Sequence, residues 1–196
     1  MAPAKCTVPK PSSVVTAEVV ASLQKDATNK KEPETRANAA KKIGELATKS
    51  GAQEEPFMIE LLEVAIILAG DNKSKDVREA ADPAVDAILS KLSPFAIRAC
   101  QKAIFAGFAS PFWQSKMAAL RVIDFFVGVA PKSVAAALPE LVPEIAQVMV
   151  DMRDSFIRTM DHEDSGINGK VAEFDYLMMR IDPQLHSHLS DEGLDP

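Results

Sequence analysis

The sequence predicts an all-α fold in which pairs of helices stack side by side as an α-solenoid. Apolar residues recur every three to four positions along most of the chain, which is the spacing of amphipathic helices. Alternation with a period of two never lasts more than three or four residues, so no strand is predicted. Similar helical segments also return about 40 residues apart, as in repeat proteins whose helix pairs cannot bury their apolar faces alone.

The first three helices are predicted from their apolar stripes and from the residues at their ends. Apolar side chains recur at helical spacing over Val15–Leu23 and again over Ala39–Ala47. The third segment, Pro56–Ala69, is apolar on most faces, as expected of a helix with neighbours on several sides. Pro56 suits its first turn, and Gly70 suits the position just after its end.

The fourth helix follows a polar loop at residues 71–75 and has apolar positions from Val77 to Leu89. Pro83 lies within this stretch. Because proline removes a backbone donor and crowds the carbonyl group four residues earlier, either a kink or a late helix start is predicted. Ser93 and Pro94 are predicted to end this helix and to start the fifth.

The last helices are separated by glycine and proline. The fifth helix is predicted to end in the break at residues 107–111, and the sixth to begin at Trp113. Pro131 opens a short segment, which is followed by a proline-bent helix that continues to about Met152.

These elements divide the chain into three parts. Residues 14–152 are predicted to form a solenoid of about three helix pairs. Residues 1–13 are rich in proline and poor in apolar side chains, so a disordered tail is predicted. Residues 153–196 are predicted to be an acidic linker and a short helical tail, which either caps the last repeat or is an independent appendage.

The repeat is visible in three short segments. Each places a basic residue three positions before a small one, and these basic residues are Arg36, Arg78 and Lys116. Arg78 follows Arg36 by 42 residues, and Lys116 follows Arg78 by 38. Periods of this length with two helices each are typical of HEAT and armadillo repeats. The low aromatic content of 6% agrees with helices that pack closely through small and aliphatic side chains.

Three sequence strings carry a resemblance to a known family. Residues 76–81, Asp-Val-Arg-Glu-Ala-Ala, resemble the second helix of a HEAT repeat. Residues 113–120, Trp-Gln-Ser-Lys-Met-Ala-Ala-Leu, and 136–143, Ala-Ala-Leu-Pro-Glu-Leu-Val-Pro, are more particular. Together they resemble the N-terminal HEAT region of translation elongation factor 3, a ribosome-associated ATPase of fungi and some other eukaryotes. The resemblance covers roughly residues 30–152.

This resemblance implies a surface that helps to seat a translation factor on the ribosome. In the family, ATP-binding cassette modules drive the release of deacylated tRNA, whereas this sequence contains no phosphate-binding loop of the form G-x-x-x-x-G-K-[ST]. The resemblance therefore implies a binding function for this chain, and it implies no catalytic activity. The chain is expected not to be an enzyme and to need no cofactor.

The C-terminal part of the chain departs from that family. Residues 166–171 and 181–189 resemble part of a TBC domain, the GTPase-activating module for Rab proteins, and this resemblance covers roughly residues 166–195. The arginine-finger motif I-x-x-D-x-x-R and the glutamine-finger motif Y-x-Q of TBC domains are both missing, so no activating residue is transferred. A non-functional TBC-fragment fusion remains an alternative interpretation.

Charge is unevenly distributed along the chain. The formal net charge is −6, but residues 1–50 hold 9 basic and 5 acidic residues, whereas residues 151–196 hold 4 and 11. A positive stripe that meets ribosomal RNA phosphates is therefore predicted near the first repeat, with a simple solvated face as the alternative. The candidate binding residues are Lys30, Lys31, Arg36, Lys41, Lys42, Arg78 and Lys116.

The tryptophan, the histidines and the acidic clusters are interpreted as structural or solvated residues and not as binding sites. Trp113, the only tryptophan, is a residue type that stacks on bases, but packing between repeats is favoured. A metal site is disfavoured, because residues two apart on a helix point apart and zinc needs three or four converging ligands. The residues considered for it are His162, Glu163, Asp182, His186 and His188. Acidic clusters at Asp151 and Asp161 are interpreted as solvated.

The predicted compartment is the cytoplasm. Cys6 and Cys100 form no disulfide framework, which favours free thiols. The sequence has neither a signal-peptide pattern nor a run of about 18 apolar residues, so no membrane partner is expected. The predicted partner is the ribosome, through a ribosomal protein or rRNA. The alternative is a generic scaffold that binds another protein, and no small-molecule substrate is expected.

Overall fold

The computed structural model describes residues 15–160, and the side chains of residues 15–151. All regular elements in this range are helical, which confirms the all-α class. A 3₁₀ turn, Ala52–Glu54, precedes the third helix. The α-helices are α1 (Ala17–Ala27), α2 (Pro33–Lys49), α3 (Glu55–Ala69), α4 (Lys75–Leu89), α5 (Ile97–Phe108), α6 (Trp113–Val129), α7 (Pro131–Ala135) and α8 (Leu138–Met160).

The helices are arranged in two layers. Layer A contains α1, α3, α5 and α8, and each of these contacts the next in the series. Layer B contains α2, α4 and α6, which contact one another in the same order. The pairs α1–α2, α3–α4 and α5–α6 pack together, so they are three consecutive repeats, and the predicted solenoid of about three helix pairs is confirmed.

Helix starts follow from local sequence. At the start of α1, the Thr16 hydroxyl accepts a hydrogen bond from the N–H of Val19. Pro33 opens α2, Pro56 lies in the first turn of α3 and Pro139 lies in the first turn of α8. Proline is tolerated there because the first four N–H groups of a helix have no partner within it.

Helix α3 is enclosed by other helices, as its apolar sequence predicts. It contacts α1, α4, α5 and α6. Its Met58, Leu61, Leu62 and Ile66 side chains are fully buried. Burial of an apolar side chain of this size stabilises a fold by roughly 1.5–3 kcal/mol. Because α3 contacts helices of both layers, its buried side chains stabilise the packing of layer A and of layer B.

Two glycines permit close contact between the second and third repeats. A Cβ atom added at Gly107 of α5 would lie 2.7 Å from Ile66 Cγ2 and 2.8 Å from Ala119 Cβ. A Cβ atom added at Gly70, just after α3, would lie 1.9 Å from Ser115 Oγ. The contact between α3, α5 and α6 therefore requires positions without a side chain.

The starts of α4 and α5 bear on two sequence predictions. Helix α4 begins at Lys75 and contains Pro83 in its interior, so of the two alternatives predicted for Pro83 the late start is excluded. Helix α5 begins at Ile97 rather than at Pro94. The N–H of Ser93 donates to Oε1 of Glu55 over 2.7 Å. This bond holds the chain against the start of α3, so the chain makes a turn before α5 begins.

The last helix runs further than predicted. Helix α8 continues to Met160, so the predicted boundary at residue 152 falls inside a helix. Residues 153–160 contain neither proline nor glycine that would end it. The predicted tail at residues 1–13 lies outside the described residues, as does the part of the predicted tail at residues 153–196 that follows Met160. None of the described helices is both long and apolar enough to cross a membrane.

Candidate interaction surface

The basic residue of each repeat is the fourth residue of its layer B helix. Arg36 takes this place in α2, Arg78 in α4 and Lys116 in α6. The positions aligned from the sequence are therefore equivalent in the fold. Their surroundings nevertheless differ, so Arg36 and Lys116 are buried whereas Arg78 is half-buried.

Arg36 is a buried cation that joins the first two repeats. Only 5% of its surface is exposed. Its Nε donates to Oδ2 of Asp71 over 2.7 Å, and its Nη1 donates to the carbonyl oxygen of Asn29, also over 2.7 Å. Asp71 lies in the loop before α4, whereas Asn29 lies in the loop before α2.

The hydrogen bonds around Asp71 favour its ionised form. Its Oδ1 accepts hydrogen bonds from the N–H groups of Lys73 and Ser74, both over 2.9 Å. Burial disfavours the charged carboxylate, but the hydrogen bond from Arg36 and these two backbone bonds outweigh burial and hold the pKa of Asp71 below its ordinary value.

Lys116 makes the corresponding contact between the third repeat and α8. It is 8% exposed, and its Nζ donates to Oδ2 of Asp151 over 2.6 Å. Hydrogen bonds from Lys116 and Gln147 hold the pKa of Asp151 below its ordinary value. Asp151 follows Lys116 by 35 residues, the same separation as between Arg36 and Asp71.

Arg78 differs from its two equivalents. It is half-buried, and its Nη1 donates to the carbonyl oxygen of Asp71 over 2.6 Å. Among the described residues, no carboxylate forms an ion pair with it. It lines a cleft of about 280 Å³ between α4 and α6.

The exposed members of the predicted stripe are confined to the first repeat. We call Lys30, Lys31, Lys41 and Lys42 the first-repeat lysines. All four are exposed, and none forms an ion pair within the part of the chain that the structure describes. The seven predicted residues therefore do not form one continuous surface, because Arg36 and Lys116 are buried in contacts between repeats.

Sequence reasoning missed Asp71 and Asp151 as the partners of these buried cations. The signal was present as a carboxylate 35 residues after a basic residue. It also missed Arg121 of α6, which donates to Asp82 and Asp86 of α4 over 3.2 and 2.7 Å. These acids are exposed, so each pair contributes at most about 1 kcal/mol.

The layer B helices are not spaced uniformly. Helices α4 and α6 contact each other much less extensively than α2 and α4 do. The cleft beside Arg78 lies between α4 and α6. Trp113 packs against the core, is half-buried and also lines this cleft.

Within the described residues, neither Cys100 nor the acidic side chains form a reactive or metal-binding site. Burial, with a smaller effect from the charge of Glu55, raises the pKa of the Cys100 thiol to about 12 and keeps it protonated. No group of three His, Cys, Asp or Glu side chains within residues 15–151 is placed to hold a metal. Cys6, Asp161 and the residues considered as metal ligands lie outside the described residues.

Comparisons with known proteins agree with this architecture. The family model described as EF3 N-terminal HEAT repeat matches residues 7–155. Elongation factor 3 of Gonapodya prolifera is 33% identical over 127 residues, which cover 64% of this chain and 12% of that protein. Elongation factor 3A of Saccharomyces cerevisiae is 29% identical over 126 residues, covering 63% and 12%. The stalled ribosome sensor GCN1 of Mus musculus is 28% identical over 134 residues, covering 68% and 5%.

The chain thus spans 12% or less of the length of these three relatives. The resemblance of residues 166–195 to a TBC domain is not shown by these comparisons and stays a prediction. The match to the family model, by contrast, includes all three helix pairs and most of α8. The chain belongs to the EF3 N-terminal HEAT repeat family.

Proposed function

We propose that this chain is a non-catalytic binding module that associates with the ribosome in the cytoplasm and takes part in translation elongation. The observation that carries the proposal is the match of residues 7–155 to the EF3 N-terminal HEAT repeat. Two relatives are named as elongation factors and a third as a stalled ribosome sensor, which supports a partner in translation.

The first-repeat lysines are the proposed contact with ribosomal RNA. They are exposed and carry no ion pair among the described residues, so their charges are available to phosphate groups. The first 50 residues also carry more basic than acidic residues. Contacts of this kind release counterions from the nucleic acid, and binding therefore weakens steeply as salt rises.

Co-sedimentation of the full chain with purified ribosomes tests this function. We expect binding at low micromolar protein, with an affinity that falls as the salt concentration increases. Replacing the four first-repeat lysines by glutamine is expected to weaken binding. It should also reduce the magnitude of the salt slope by about one for each lysine that pairs with a phosphate group in the wild type.

A second set of lysines provides the matched control. Replacing Lys73, Lys91, Lys102 and Lys132 by glutamine removes the same charge from exposed positions in the second and third repeats and in α7. Of these four, Lys102 pairs with Glu63. This variant should keep most of the affinity. Equal losses from the two sets would contradict the assignment to the first repeat, and no co-sedimentation at low micromolar protein would contradict ribosome association.

The alternative function is a scaffold that binds a non-ribosomal protein. The acidic exposed face of α4, which carries Asp76, Glu79, Asp82 and Asp86, favours it. Surfaces that bind nucleic acid are usually basic, whereas this face repels phosphate. Recovery of one stoichiometric non-ribosomal partner, together with no co-sedimentation with ribosomes, is the result expected from this alternative.

A further inference from the structure

The loops between the paired helices are built alike. In each loop, the residue two positions after the layer A helix uses its side-chain oxygen to accept a hydrogen bond from the N–H group two residues later. These residues are Asn29, Asp71 and Ser110, and their donors are the N–H groups of Lys31, Lys73 and Phe112 at 3.1, 2.9 and 3.3 Å. The three positions are therefore equivalent, although their side chains differ.

This difference determines the environment of the cation in the preceding repeat. Asp71 has a second carboxylate oxygen, which accepts the bond from Arg36. Its equivalent in the third repeat is Ser110, which is shorter and has no charge. Arg78 consequently lacks the carboxylate that Arg36 has.

In its other features Arg78 matches Arg36. Each is the fourth residue of its helix, and each donates from Nη1 to the carbonyl oxygen of the residue seven positions earlier. A guanidinium group has five N–H donors. Within the described part of the chain, Nε and Nη2 of Arg78 have no hydrogen-bond acceptor.

The space beside this guanidinium group is the cleft between α4 and α6. Lys75 and Arg121 also line it, as do the apolar side chains of Trp113 and Met117. Lys75 is paired with Glu79, and Arg121 is paired with Asp82 and Asp86. The cleft thus combines an arginine that has unused donors and no paired carboxylate among the described residues with apolar surface for the neighbours of a bound group.

We propose that this cleft binds the side-chain carboxylate of an acidic segment on a partner protein, with Arg78 as its pairing cation. The incoming carboxylate takes the role that Asp71 has for Arg36. Arginine suits it because the planar guanidinium group donates two parallel hydrogen bonds to a carboxylate. The proposal goes beyond ribosome association, which depends on the first-repeat lysines.

The surroundings favour a protein side chain over a nucleic acid. Glu79 and Asp82 line the same cleft, and Asp76 and Asp86 are exposed elsewhere on α4. A phosphate backbone would have to pass these carboxylates, and like charges repel. A single acidic side chain flanked by apolar or basic residues brings one negative charge to Arg78, whereas a phosphate backbone brings several, so the peptide meets less of that repulsion.

Selection of displayed random 12-residue peptides on the full chain tests the proposal. We expect an aspartate or glutamate to be enriched at one fixed position. A synthetic peptide of the selected sequence should change the fluorescence of Trp113, the only tryptophan. Replacing its acidic residue by the amide should weaken binding by about tenfold or more, as expected for a charge-assisted contact.

Two arginine variants then locate the contact. Arg78→Gln should lose about tenfold or more in affinity for the same peptide. The matched control is Arg98→Gln, since Arg98 is an exposed arginine of α5 that does not line the cleft. It should bind as the wild type does. Thermal unfolding of both variants checks that they remain folded.

Substitutions at Ser110 test the same site from within the chain. Ser110→Asp places a carboxylate at the position equivalent to Asp71, so it is expected to pair with Arg78, raise the melting temperature and abolish peptide binding. Ser110→Asn keeps an acceptor for the N–H of Phe112 without adding charge, and it should retain binding. A Ser110→Asp variant that is stable and still binds the peptide would overturn the proposal.

Other outcomes also overturn it. Absence of acidic enrichment, or equal affinity for the wild type and Arg78→Gln, contradicts a carboxylate at Arg78. Displacement of the peptide by a 12-nucleotide oligouridylate whose own binding requires Arg78 identifies the cleft as a phosphate site. Peptide binding that appears only after the acidic residues of 161–196 are replaced by amides identifies this chain's own C-terminal segment as the occupant.

Discussion

At the scale of single residues, the Arg36–Asp71 pair is the most buried ion pair in the described part of the chain. The two side chains are 6% and 11% exposed, and they join consecutive repeats. Replacing one partner leaves the other charge buried without compensation, which typically destabilises a protein by about 3–5 kcal/mol. The Arg121 pairs on the exposed face of α4 lack this leverage because solvent screens them.

Asp71→Asn is expected to lower the free energy of unfolding by about 3 kcal/mol, measured by urea denaturation. The amide oxygen still accepts from the backbone of Lys73 and Ser74, so the loss isolates the ion pair. Asp86→Asn, which removes an exposed partner of Arg121, should cost less than about 1 kcal/mol. Equal effects of the two substitutions would contradict the role given to burial.

The same variant should also show a changed pH dependence. The pKa of Asp71 is lower in the folded state, so the unfolded chain binds more protons as the pH falls. Its contribution to stability is fully present above the ordinary aspartate pKa of about 3.9 and is lost as the pH falls through the lower folded value. Below pH 4, the wild type should therefore lose stability more steeply than Asp71→Asn.

At the scale of helices, the solenoid depends on how closely neighbouring helices approach. Gly44 and Gly107 both lie inside helices, where alanine is intrinsically better by about 0.5–1 kcal/mol. Their surroundings differ. A Cβ atom at Gly44 would meet Ala84 Cα at 3.5 Å, an ordinary contact, whereas a Cβ atom at Gly107 would clash with Ile66 and Ala119.

Gly44→Ala is therefore expected to stabilise the protein by about 0.5–1 kcal/mol. Gly107→Ala should instead destabilise it by about 1–3 kcal/mol, because Ile66 and Ala119 must move within a packed core. Urea denaturation of both variants provides the comparison. A stabilised Gly107→Ala variant would show that the contact between α3 and α5 has room for a methyl group.

At the scale of the whole molecule, α8 occupies the end of the described stack. It is a layer A helix, and the described residues provide no layer B helix to follow it. Met149 and Val150 on α8 are 41% and 46% exposed. Terminal repeats are usually covered by a polar capping element, and such a cap is one of the two alternatives predicted for the C-terminal segment.

If the segment is such a cap, removing residues 161–196 should lower the melting temperature by several degrees, as loss of about 1 kcal/mol does in a chain of this size. Met149→Lys in the full chain should have a similar effect, because the substitution places a charge in the covered face. In the shortened chain the same substitution should be nearly neutral. An unchanged melting temperature on shortening would identify the segment as an independent appendage.

Several features were predictable because they depend on local patterns. The apolar period gave the helices, proline and glycine gave most of their ends, and the spacing of Arg36, Arg78 and Lys116 gave the repeat. The start of α5 was missed, and the turn before it includes a bond between the N–H of Ser93 and Glu55, which are 38 residues apart. A contact of that range leaves no periodic signal near the helix start.

The sequence by itself determined the all-α class, the two-helix repeat and the family, because periodic burial and repeated strings are properties of the chain order. Only the tertiary structure decided which basic residues are exposed. Arg36 and Lys116 face carboxylates brought from 35 residues away and are buried, while the loop residue of the third repeat that is equivalent to Asp71 is Ser110. A cation's role depends on which group the fold places opposite it, and that placement is set by packing between repeats.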